Sequence, residues 1–165
     1  IGDPRFTPDK ETSPNGSGLS QQTADQLIGT GERLAQTVVA AKPPVDIAMV
    51  HDPSAAGPLS GACPLVLSGH THKREVTVLP RQPGRELTDL MVQGSTGGAG
   101  LRGLEGEKAM PLAMSVLYFD QAKKLQAYDD IQLGGTGQAQ VNLERHIVKE
   151  PGPGVKITPT PTPTR

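Results

Sequence analysis

The chain has 165 residues, which is room for one domain of ordinary size. Its 16 Lys and Arg residues nearly balance 17 Asp and Glu residues, and this formal net charge of -1 argues against a protein that binds nucleic acid or an anionic membrane. Only two Phe, two Tyr and no Trp are available for stacking on bases or sugars. The single cysteine, Cys63, excludes an internal disulfide and any all-cysteine zinc site within one chain.

The two ends of the chain differ from its centre in composition. Residues 1–20 are rich in Pro, Gly, Asp and Thr and predict an irregular connection. Residues 150–165 are a Pro/Thr-rich tail that we expect to be extended and disordered. No apolar run approaches the roughly 20 residues of a membrane-spanning helix, so we expect a soluble chain. Because the chain begins at Ile1 rather than Met, we also expect it to be a piece of a longer protein.

One helix and a series of strands are predicted between these ends. Apolar side chains recur at helical spacing over residues 21–42, and two prolines at 43–44 end the helix. Residues 45–50 and 64–68 are apolar without alternation, which is typical of strands buried on both faces of a parallel or mixed sheet. Further strands are predicted over residues 75–79, 87–93, 113–119, 125–133 and 140–148. The strands at 113–119 and 125–133 are predicted to form a hairpin with a longer loop.

Three of the four histidines follow the two buried-type strands directly. His51 comes after the first strand, and Gly69 leads into His70 and His72 after the second. Open α/β sheets place their sites at the carboxyl ends of strands, and imidazole is a common metal ligand. Surface histidines are the alternative for each residue alone, but the paired pattern favours a metal site. We expect Gly69 to let the chain turn sharply there. The polar residues that flank the histidines are expected to keep the region wet: Asp52, Thr71, Lys73 and Arg74.

These residues resemble the calcineurin-like metallophosphoesterases. Val45-Asp46-Ile47-Ala48-Met49-Val50-His51-Asp52-Pro53 is similar to the fourth motif of that family, and Leu65-Val66-Leu67-Ser68-Gly69-His70-Thr71-His72 is similar to its fifth, Gly-His-x-His. The resemblance covers most of residues 1–148. It implies an α/β (α+β) fold, namely the mixed-sheet second half of a four-layer αββα sandwich, with residues 1–149 forming the carboxyl-terminal half of the domain.

The resemblance also implies a set of metal ligands. Members of the family hold two divalent ions, which share a bridging carboxylate and a bridging hydroxide. The identity of the metal stays open, because mixed imidazole and carboxylate ligation suits Mn, Fe and Zn alike. By this likeness His51 and His70 bind one ion and His72 binds the other, so these three are the expected catalytic and metal-binding residues. The front-half motifs Asp-x-His, Gly-Asp-x-x-Asp and Gly-Asn-His do not occur in the sequence. We therefore expect the missing amino-terminal half to supply the remaining ligands.

The expected function is a metal-dependent phosphoesterase in the parent protein, acting on a phosphorylated substrate whose class stays open. The isolated chain is expected to supply only part of the site. The alternative is a non-catalytic β-rich binding or interaction module with a remnant metal site. Relatives with these motifs often carry upstream membrane segments, so the localisation of the parent stays open. Two residues outside the motifs are expected to be inert: His146 on a solvent-facing strand position and Cys63 in the core.

Overall fold

The structure is a computed structural model that describes residues 21–96, 111–134 and 140–148. Within them the chain forms one α-helix, two short 3-10 turns and seven strands in two sheets, so the predicted mixture of α and β structure is confirmed. The four-layer αββα arrangement stays a prediction. The predicted connection at 1–20, the tail from 150 and most of the glycine-rich loop at 94–100 lie outside the described residues.

The elements follow the predicted order closely. Helix α1 is Gln21–Ala40, and the 3-10 turns are Pro53–Ala55 and Gly57–Leu59. The strands are β1 (Ile47–Met49), β2 (Leu65–Ser68), β3 (Glu75–Val78), β4 (Asp89–Val92), β5 (Leu112–Phe119), β6 (Leu125–Leu133) and β7 (Val141–Ile147). In the part of the chain that is described, no helix is both long enough and apolar enough to cross a bilayer.

The first sheet has the strand order β1-β2-β4-β3. β1 and β4 both pair with β2 in parallel, and β3 is antiparallel to β4. β2 is therefore central, and its burial on both faces is confirmed. β1 lies at the edge and leaves Met49 57% exposed, so the expectation of full burial is wrong for this strand. The side chains of β1 are apolar, but only one face of this strand is covered by other residues.

Helix α1 covers one face of this sheet. Leu27, Leu34 and Val38 are buried in one cluster with Leu59 and Val66. The helix also lies tightly against the first 3-10 turn: a Cβ added at Gly31 would collide with the carbonyl oxygen of Ala55. Burying a side chain such as Leu or Val contributes about 1.5–3 kcal/mol, so this cluster is the main source of stability on that side.

The second sheet is antiparallel, with the order β5-β6-β7. The predicted hairpin of β5 and β6 is confirmed, and its tip reaches the first sheet through an ion pair of 3.0 Å between Lys123 Nζ and Asp46 Oδ2. One face touches the first sheet: a Cβ added at Gly94 would lie 2.6 Å from Cβ of Ala113. The other face exposes a set of large apolar side chains: Leu112, Met114, Val116, Tyr118, Val141, Leu143 and Ile147.

A charged cluster interrupts this apolar face. Asp129 is only 3% exposed and accepts hydrogen bonds from Arg145 Nε and Nη2, each of 2.7 Å, and from the Tyr118 hydroxyl at 2.8 Å. The Arg145 guanidinium holds the pKa of the Asp129 carboxyl down at about 2. The hydrogen bond to this carboxylate raises the pKa of Tyr118. The cluster links β5, β6 and β7 and so fixes their mutual register.

Candidate metal site

The structure brings two of the three predicted site histidines together. β1 and β2 run parallel, so the residues that follow them emerge at one edge of the sheet. The ladder continues past the strands, because the Gly69 amide donates to the carbonyl oxygen of His51 at 3.0 Å. The rings of His51 and His70 lie edge to face with centroids 5.0 Å apart, and His70 Nδ1 is hydrogen-bonded to His51 Nε2 at 3.1 Å.

The turn after β2 is made by the histidines themselves rather than by the glycine. His70 and His72 have φ values of 64° and 58°, in the left-handed region that costs most side chains free energy. Gly69 is not among the described glycines with a positive φ, and a Cβ added there would meet nothing within 4 Å. The expectation that Gly69 makes the sharp turn is therefore wrong. Strained positions of this kind concentrate at functional sites.

Asp52 lies beneath the histidine pair. Its side chain is 3% exposed, Oδ1 accepts the Ser54 amide at 2.8 Å, and Oδ2 is 3.5 Å from His70 Nε2. Asp52 thereby caps the 3-10 turn that begins at Pro53. From the sequence we expected Asp52 to be a wet, flanking polar residue, and its burial corrects this. The Asp-Pro-Ser order is a capping signal that could have shown it.

Arg74 anchors the histidine loop to the second sheet. From the sequence it was expected to keep the site wet, but its side chain is only 10% exposed. Its Nε donates to Asp130 Oδ1 at 2.7 Å, its Nη1 donates to the Val92 carbonyl oxygen at 3.2 Å, and its guanidinium lies over the Tyr128 ring at 5.3 Å. The loop that carries His70 and His72 is thus held at both ends, by β2 and by Arg74.

His72 is placed apart from the pair. Its side chain is exposed, and no hydrogen bond or ion pair to another described residue involves it. Across residues 21–96, 111–134 and 140–148, no group of three or more His, Cys, Asp or Glu side chains is arranged to hold a metal ion. The described chain therefore brings together two candidate ligands, His51 and His70, and leaves His72 facing outward.

The separation of the two ring nitrogens is compatible with one shared ion. Imidazole nitrogens lie about 2.0–2.1 Å from a bound zinc ion. With the two nitrogens 3.1 Å apart, as His51 Nε2 and His70 Nδ1 are, the angle at such an ion would be about 100°. That angle lies between the octahedral and tetrahedral values, so His51 and His70 can serve as neighbouring ligands of a divalent ion. The same distance also suits the hydrogen bond that joins them.

The two residues expected to be inert differ in outcome. Cys63 is buried in the core as predicted, and burial raises the pKa of its thiol. His146 is not simply solvent-facing: its ring stacks on Tyr128 with centroids 4.7 Å apart, and its Nε2 is 3.8 Å from both Asp130 Oδ2 and Glu144 Oε1. The strand pattern placed its backbone correctly but could not show the aromatic partner on β6.

Comparison with protein-family models and with curated proteins gives no match to this chain.

Proposed function

We propose that the parent protein is a metal-dependent phosphoesterase and that this chain contributes part of its metal centre. The observation that carries the proposal is the meeting of His51 Nε2 and His70 Nδ1 at 3.1 Å, at the carboxyl ends of two parallel strands. Both residues stand in the sequence segments that resemble the fourth and fifth motifs of the calcineurin-like metallophosphoesterases.

The residues of this chain would bind and orient the ions. His51 and His70 would hold one divalent ion (Mn, Fe or Zn), and His72, exposed on the same loop, would be offered to the second. When bound, such a pair of ions activates water and stabilises the negative charge of a phosphoryl group under attack. The bridging carboxylate would come from the missing half of the domain. Asp52 is a poor substitute, since it is buried and both its oxygens face groups of this chain.

The proposal is tested by titrating the full chain with Zn²⁺ or Mn²⁺ in a calorimeter. We expect the chain to bind one ion weakly, with water completing its coordination, and His70→Ala to abolish the binding. His146→Ala is the matched control, because it removes an imidazole that lies outside the site. Equal metal uptake by the original chain and by His70→Ala would remove the central histidine from the site and overturn the proposal.

Activity gives a second test. Because the motifs that carry the bridging carboxylate in the resembled family do not occur in the sequence, we expect hydrolysis of an aryl phosphate to stay near background at any metal concentration. Strong turnover that a chelator abolishes would show that a carboxylate of this chain completes the centre. Asp3 and Asp9, which lie outside the described residues, would then be the first candidates for substitution.

A second candidate function is an interaction module that retains a remnant metal site. The observation that favours it is the exposed apolar face of β5 and β7, where Val141, Leu143 and Ile147 are 57–64% exposed. Exposed apolar patches of this kind mark interaction surfaces. Metal binding without turnover, even after the chain is combined with an amino-terminal half that carries the missing motifs, would favour this candidate over the enzyme.

A further inference from the structure

We infer that Asp52 is a positioning residue that fixes the tautomer of His70, so that Nδ1 of His70 faces His51 with a free lone pair. This inference concerns the site of the proposed function, and the consequence for metal affinity rests on that function. The two nitrogens of the His70 ring face different partners. His70 Nε2 faces the Asp52 carboxylate at 3.5 Å, and His70 Nδ1 faces His51 Nε2 at 3.1 Å.

The hydrogen positions follow from what each group can do. An ionised carboxylate only accepts hydrogen bonds, so the His70 nitrogen that faces Asp52 carries the hydrogen. In the neutral ring the other nitrogen, Nδ1, then has the lone pair. The hydrogen bond of 3.1 Å between the two rings must therefore be donated by His51 Nε2. His70 Nδ1 therefore already carries the lone pair that a metal ligand needs. To bind the same ion, His51 must move its hydrogen from Nε2 to Nδ1.

Asp52 is well placed to impose this state. It is 3% exposed, and its Oδ1 is held by the Ser54 amide at 2.8 Å, which leaves Oδ2 directed at His70. The contacts of the His70 ring with Asp52 and His51 also help to offset the free-energy cost of the left-handed backbone at His70. In metalloproteins, a carboxylate on the second nitrogen of a ligating histidine orients the ring, and losing it typically weakens metal binding about 10–100-fold.

The substitution Asp52→Asn separates positioning from a merely structural role. The Ser54 amide needs an acceptor, so the asparagine oxygen is expected to keep that hydrogen bond and the 3-10 turn. Its NH₂ group then faces His70 Nε2 as a donor, which forces the hydrogen of His70 to move to Nδ1. We expect the tautomer of His70 to invert and Zn²⁺ affinity to fall about 10–100-fold.

The experiment reads the tautomer directly in the full chain. With ¹⁵N-labelled histidine and no metal, long-range ¹H–¹⁵N spectra in mildly alkaline buffer report which nitrogen of each neutral ring carries the hydrogen. His70→Ala identifies the signals. Asp129→Asn is the matched control, since it neutralises an equally buried carboxylate on the second sheet and should leave His70 unchanged.

The outcomes separate the two proposals. A hydrogen on Nδ1 of His70 in the original chain, or the same tautomer in Asp52→Asn, would overturn the positioning role even if the chain binds Zn²⁺. An inverted tautomer in Asp52→Asn supports the positioning role. If that inversion occurs while no form of the chain takes up Zn²⁺, the proposed function fails and the tautomer assignment stands.

Discussion

The ion pair between Arg74 and Asp130 should couple the two sheets energetically. The pair is 2.7 Å long with side chains 10% and 18% exposed, and it joins the end of the histidine loop to the middle of β6. We expect Arg74→Met to destabilise the chain by about 2–4 kcal/mol, because it removes a charged hydrogen bond, the bond to the Val92 carbonyl and the contact with the Tyr128 ring.

A double-mutant cycle isolates the ion pair from the other contacts of Arg74. Arg74→Met, Asp130→Asn and the double variant are compared with the original chain by urea unfolding. We expect a coupling free energy of about 1.5 kcal/mol, at the low end for a charged hydrogen bond because Asp130 keeps the hydrogen bond from Ser115.

The matched control is the exposed pair of Lys123 and Asp46, which also joins the two sheets. These side chains are 66% and 43% exposed, so Lys123→Met with Asp46→Asn should give a coupling below about 0.5 kcal/mol. If the effects of Arg74→Met and Asp130→Asn add to within about 0.3–0.5 kcal/mol, the pair does not couple the sheets and the reasoning is refuted.

Two further predictions concern the glycines and the acid limit of stability. Gly69→Ala should change the free energy of unfolding by less than about 0.5 kcal/mol, because its Cβ would meet no other atom within 4 Å. Gly94→Ala should lower the free energy of unfolding by about 1–3 kcal/mol, because its Cβ would lie 2.6 Å from that of Ala113. Urea unfolding that ranks the two substitutions in the opposite order would contradict this prediction. The folded-state pKa of Asp129, about 2, lies below its ordinary value of 3.8, so its stabilisation is present above that value and is lost as the pH falls through about 2. Asp129→Asn should remove this part of the pH dependence, and unfolding curves from pH 5 to about pH 2 measure it.

The sequence predicted the helix and the strands because these depend on the spacing of apolar residues and on nearby prolines and glycines, which are local features of the chain. The helical spacing over residues 21–42 found α1, and the two apolar runs before His51 and Gly69 found β1 and β2. The meeting of His51 and His70 was also predictable, since parallel neighbouring strands release the chain at one edge. The identity of the edge strand was not predictable, because β1 and β2 are both short, mainly apolar runs, and the number of neighbouring strands that each one pairs with is set by the topology.

Two of the errors share one cause, which is a partner distant in the sequence. Arg74 looked like a solvated loop residue because its partner Asp130 lies 56 positions away. His146 looked solvent-facing because its stacking partner Tyr128 is on another strand. The alternation of Val141, Leu143 and Ile147 predicted a strand with one apolar face but could not say whether anything covers that face. Burial that depends on such pairings is decided by topology, which a sequence window does not contain.

The last prediction is that the chain associates with itself through the exposed apolar face of the second sheet. This face carries seven large apolar side chains, each 39–64% exposed, around the buried Asp129. On a soluble monomer contiguous exposed apolar patches are small, and covering one such side chain contributes about 1.5–3 kcal/mol when burial is complete.

Light scattering during size-exclusion chromatography, at two concentrations a hundredfold apart, tests this association. We expect a larger mass at the higher concentration and a shift toward monomer in Leu143→Lys, since Leu143 is 57% exposed and lies in register with Ile131 and Met114 on this face. Gln126→Lys is the matched control, because it adds the same charge at an exposed position on β6 that is not one of the seven apolar residues. A monomer at both concentrations would show that the face is tolerated in water. Equal weakening by both variants would show that net charge, rather than the apolar face, controls association.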